Sequence, residues 1–139
     1  MNNHRPRNVW TTRMLFLALL FAILTSKAMA QTTWNGSVST DWFASSNWSS
    51  GVPTAATNVT IPSGGPNLPL INGTGAVCNN LTVNSGASLT ISGANELTIS
   101  GSFSNSGSFD AGAGTVTYNG AAQTVAPVLY HNLVLAGSG

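Results

Sequence analysis

Few side chains in this sequence are equipped for chemistry. Trp34, Trp42 and Trp48 crowd into fifteen residues, with Asp41 and Asn47 among them. Such a cluster can form an aromatic platform for sugar rings, Asp41 and Asn47 acting as polar partners. The preferred alternative is a lid, in which flat indoles plug an apolar end and their N–H groups need partners. Glu96 and Asp110 are the other carboxylates after Asp41. Glycoside hydrolysis uses two carboxylates flanking one bond, and stacking could bring these two together. No Arg, Lys or Tyr cluster supports them as a catalytic pair. Cys78, the single cysteine, has no neighbouring base in sequence to activate a thiolate and reads as a small buried hydrophobe. His131 stands alone, whereas a zinc or haem site needs several ligands. There is no Asp-rich calcium loop, and no Gly-rich loop between a strand and a helix to hold phosphate. The expectation is no catalytic residue, no metal and no cofactor, with Trp34, Trp42 and Trp48 as the candidate glycan contacts.

Charge narrows the partners further. Charged residues are 5% of the 139, against roughly 25% in ordinary soluble domains. Arg5, Arg7, Arg13 and Lys27 are the only basic side chains, so from Gln31 onward three acids give a formal charge of −3. A body without cations is a poor binder of nucleic acid, where phosphate neutralisation dominates, and of anionic membranes. Apolar residues reach 42% and alternate, which argues for a folded chain rather than a disordered one.

The cations belong to a leader. Three arginines precede an uncharged apolar run from Met14 to Leu24, followed by small residues at Ala28 and Ala30. This is the layout of a signal peptide over residues 1–30, cleaved before Gln31. The run of eleven residues is short of the ~20 that span a bilayer, so no membrane insertion is expected after cleavage. The mature protein should be secreted.

The elements behind these side chains are strands. Apolar residues recur two apart at Leu81/Val83, Leu89/Ile91, Leu97/Ile99 and Val116/Tyr118, as an inward-facing strand edge requires. Asn, Ser, Gly and Ala fill the gaps and suit tight turns. Coils opening at Leu81, Phe103 and Val125 give steps of 22 residues. In the second coil the sites are Phe103, Phe109 and Val116/Tyr118; in the third they are Val125, Leu129 and Leu133/Leu135. The spacing predicts an all-β, right-handed parallel β-solenoid over residues 77–139. Residues 31–76 form a Trp-rich capping segment and loop, with a short strand from Thr57 ending at Pro62. The alternative is an antiparallel β-sandwich. Asn119-Gly120 is the one strong hairpin signal. The closing AGSG supplies no lid, Pro or charge to blunt the edge, so further coils of the same chain, or a covering partner, are expected beyond it.

The stretches TWNGSVSTDWFASSNWSSGVPTAATNVTIPSG, CNNLTVNSGASLTISG and GSFSNSGSFDAGAGTVTYNGAAQTV resemble the N-terminal passenger regions of large secreted surface proteins of Bacteroidetes-type bacteria. The resemblance covers nearly all of residues 32–139. It implies an adhesin-like or autotransporter-like β-solenoid at the cell surface, and carries no catalytic motif onto these positions. The expected function is a secreted, non-enzymatic structural or adhesive module with glycans or extracellular matrix as partners. The alternative is a carbohydrate-binding accessory region of a polysaccharide-degrading enzyme.

Overall fold

The computed structural model describes residues 28–137. The leader expected over 1–30 therefore lies outside the described residues except for its last three. Apart from one 3-10 turn at Ser45–Asn47, the regular structure is all strand, and every ladder between strands is parallel. Strand β1 (Ala30–Thr33) opens the stack. The next coil carries β2 (Thr57–Ile61), β3 (Leu70–Ile71) and β4 (Ala76–Cys78). It is followed by β5 (Leu81–Val83), β6 (Ser88–Ile91) and β7 (Glu96–Ile99), and then by β8 (Phe103–Asn105), β9 (Ser108–Asp110) and β10 (Thr115–Tyr118). Strand β11 (Asn132–Leu135) ends the described chain.

These strands build three sheets, ordered β1-β2-β5-β8, β3-β6-β9 and β4-β7-β10-β11. The chain is a β-solenoid, not a sandwich. Asn119-Gly120 turns no hairpin: β10 and the next strand, β11, run parallel.

Alternation explains the core. Each inward residue sits over its counterpart one coil away: Val59 over Leu81 over Phe103, Ile71 over Ile91, and Leu97 over Val116. Most of these side chains are wholly buried. A one-residue slip would turn every one of them outward, so burial pins the register.

Three expectations change. The ladder does not start at residue 77, because β2 pairs with β5 and β1 with β2. Beyond Pro62 the segment 31–76 is not all loop, since it holds β3, with Ile71 buried. Nor is the repeat a constant 22 residues. Val59, Leu81 and Phe103 keep that step, but Ser88 pairs with Ser108, Leu97 with Val116, and Thr115 with Asn132. Strand register is fixed by burial while corner length is free, so later turns shorten.

Of the third expected coil only the Leu133/Leu135 site forms a strand, β11, paired with β10. Residues 119–131 hold no strand, and Leu129 points into solvent at 89% exposure. Val125, Val128 and Tyr130 instead pack against the end of the core. This loop partly closes an end expected to be bare.

One corner is built from stacked asparagines. Asn58 Oδ1 accepts from Asn79 Nδ2 at 2.8 Å and from the Asn80 backbone N–H at 3.3 Å. Asn80 Oδ1 in turn accepts from the backbone N–H of Ser102 at 2.8 Å and its hydroxyl at 3.1 Å. Gly101 lies against Asn80 so closely that any Cβ there would collide with this Oδ1.

Candidate functional site

The tryptophan cluster lies at the start of the stack. Trp34 and Trp48 meet edge to face at 4.9 Å, and Trp42 and Trp48 at 4.7 Å. Trp48 Nε1 donates to the Trp42 carbonyl at 2.7 Å, and Trp34 Nε1 to the Asn67 carbonyl at 2.8 Å. Asn47 is buried, and its side chain closes the intervening loop. Its Oδ1 accepts from the backbone N–H groups of Val38 and Ser39, and its Nδ2 donates to the Asp41 carbonyl and to Ser39 Oγ. Asp41 Oδ1 accepts the Phe43 N–H at 3.0 Å, which turns the chain locally. The three indoles are 1%, 0% and 4% exposed for Trp34, Trp42 and Trp48. A sugar can stack only on an open ring face, so these tryptophans do not form a glycan platform. They are the lid.

The carboxylates Glu96 and Asp110 are separated by the fold. Glu96 pairs with Thr115 in one sheet and Asp110 with Thr90 in another. Glu96 Oε1 accepts from the hydroxyls of Thr117 at 2.6 Å and Thr98 at 3.4 Å on its own outer face. Asp110 Oδ1 accepts the Gly112 N–H at 2.9 Å. Two-carboxylate glycosidase chemistry places its groups on either side of one bond; here the two stand on different sheets, each engaged in local hydrogen bonds. Cys78 is fully buried on β4, and burial pushes its thiol up to about 12, away from the thiolate a nucleophile needs. Among the described residues no group of three or more His, Cys, Asp or Glu gathers as a metal site.

The more open chemistry is at the far end. A groove of about 270 Å³ lies between the end of β9 and the returning loop, with Phe109, Asp110, Leu129, Tyr130 and His131 on its walls. Phe109 packs edge to face on Phe103 at 5.2 Å, and its ring centroid is 6.4 Å from that of Tyr130. Asp110 and His131 are exposed. A closed hydrogen-bond cycle holds the loop. Tyr130 Oη donates to the Ala126 carbonyl at 2.9 Å, and the Ala126 N–H donates to Tyr118 Oη at 3.2 Å. Tyr118 Oη must then be the donor in its 2.8 Å contact with Tyr130 Oη. Burial raises the Tyr130 hydroxyl above its ordinary range, so it stays a donor. Gln123 fastens the start of the loop, with Nε2 donating to the Ile99 carbonyl at 2.9 Å.

Sequence reasoning placed Phe109 correctly on an inward site, but set Asp110 and His131 apart and took Leu129 for core. The groove exists because residues 119–131 fail to form strands. Pro127 and the missing alternation there are the signals that could have pointed to it.

No curated protein and no solved structure matches this chain. Residues 33–117 match the family described as "Domain of unknown function (DUF8693)", a span from the end of β1 into β10 that takes in both the tryptophan lid and the coils. That span is more than half of the sequence, and the chain belongs to the DUF8693 family.

Proposed function

We propose that the chain is a secreted, non-enzymatic structural or adhesive module of a bacterial cell-surface protein. The observation that carries this reading is a column of hydroxyls on the outer face of one sheet: Thr33, Thr60, Thr82 and Ser104 lie in register on successive coils, ~4.8 Å apart. Stacked parallel strands make a stiff support. Their outer face offers hydrogen bonds without charge, which suits neutral polymers such as glycans or matrix.

The test is binding of the secreted chain to immobilised glycans and matrix, comparing wild type with a Thr60→Val/Thr82→Val variant. Binding that falls in the variant, with an unchanged thermal midpoint, supports adhesion through the face. A chain that turns over a polysaccharide would overturn the non-enzymatic reading. N-terminal sequencing of the secreted product should begin at Gln31; retention of the leader would count against secretion as a cleaved protein.

A further inference from the structure

We propose that the groove beside β9 is a binding site for a neutral saccharide, with Asp110 and His131 as its polar contacts and the Phe109 and Tyr130 rings as its apolar wall. It rests on the adhesive reading only for the class of ligand; the location is argued independently.

The location comes from where the ladder breaks. β9 is the last strand of its sheet, while the sheet holding β10 continues to β11. The returning chain passes β9 at Leu129–His131 without pairing to it, and the groove of about 270 Å³ is the space left between them. That is near the lower end, about 300 Å³, of pockets that hold small molecules. The walls combine aromatic surface with a few convergent polar groups, as such pockets do.

Chemistry then selects the ligand. Asp110 has one oxygen committed to the Gly112 N–H, leaving Oδ2 to accept a hydroxyl. His131, on the opposite wall, can donate or accept. The ligand must therefore offer several hydroxyls together with an apolar face for the aromatic rings. It must not be an anion, because Asp110 would repel it and no Lys or Arg stands anywhere from Gln31 onward to offset that. Phosphates, nucleotides and acidic or sulfated sugars are excluded on that ground, and among the glycans of the adhesive reading the neutral sugars remain.

The secreted chain would be screened on an array of neutral, sialylated and sulfated oligosaccharides. Gluco-, manno- and galacto-oligosaccharides would then be titrated by calorimetry. Asp110→Asn and His131→Ala, both at exposed positions, are each expected to weaken binding of a neutral oligosaccharide by about tenfold, the loss of roughly one charge-assisted hydrogen bond, with the thermal midpoint unchanged. Binding that survives both variants but falls in Thr60→Val/Thr82→Val would overturn the groove while leaving adhesion through the face intact. A preference for sulfated or sialylated sugars, or no binding to any neutral sugar, would also overturn it.

Discussion

Trp48 donates its indole N–H to the Trp42 carbonyl at 2.7 Å, whereas the Trp42 indole N–H is buried without a protein partner among the described residues. Two rings that pack on one another at 4.7 Å thus differ in one hydrogen bond.

That difference can be measured. Trp→Phe at either position removes a similar volume from the lid. At Trp48 it also strands the Trp42 carbonyl, while at Trp42 it deletes a donor that had no protein partner. Trp48→Phe should therefore destabilise the chain by about 1–3 kcal/mol more than Trp42→Phe in urea unfolding. Equal losses would show that the hydrogen bond contributes nothing to the lid.

The asparagine corner makes a second case. Gly101→Ala drives a methyl into Asn80 Oδ1, and overpacking of this kind costs about 1–3 kcal/mol. Asn80→Ala removes the acceptor used by Ser102. In the double variant the closest clash is gone while the tight contacts with Asn79 remain, so its loss of stability should fall short of the sum of the single losses. Additive losses would mean that Gly101 and Asn80 do not oppose one another.

Cys78 makes stability depend on alkaline pH. Its thiol ionises near 9.0 in an unfolded chain and at about 12 in the folded one. Above 9.0 the unfolded state sheds a proton that the folded state keeps. Stability present in full below pH 9.0 is therefore lost progressively up to about pH 12. Cys78→Ala should flatten the first part of this decline, and the raised Tyr130 adds loss of the same sign that sets in above its ordinary value of 10.0. In the native protein a thiol reagent should leave Cys78 unlabelled until denaturant is added. Rapid labelling of the folded chain would contradict its burial.

The strands from β5 to β10 were legible because each carries an apolar pair or a single aromatic at the period of two, from Leu81/Val83 to Val116/Tyr118. The step from Leu81 to Phe103 even disclosed one true register. The preceding coil was harder to see. Its second strand is only Leu70–Ile71 and its third is Ala76–Cys78, too short for alternation to stand out from a Gly- and Pro-rich background. The tryptophans were recognisable as a cluster, and the indole burial that favours the lid over the platform emerges only from three-dimensional packing. The groove was hidden for a different reason. Val125 and Leu129 keep the apolar spacing of a coil, but the turn from Thr115 to Asn132 is too short to repeat the longer ones, and only Pro127 and the broken alternation mark the strand that fails to form.

Disulfide trapping across the outer hydroxyl column tests the stacked-coil fold most directly. In a Cys78→Ala background, Thr60→Cys/Thr82→Cys places two thiols on direct partners of the β2–β5 ladder, with Cα atoms ~4.8 Å apart, inside the range a disulfide spans. Thr60→Cys/Ser104→Cys places them two coils apart, about 9–10 Å and out of reach. Mild oxidation should close the first pair within the monomer and leave the second reduced. A first pair that stays reduced, or a second that closes, would contradict parallel, in-register coils.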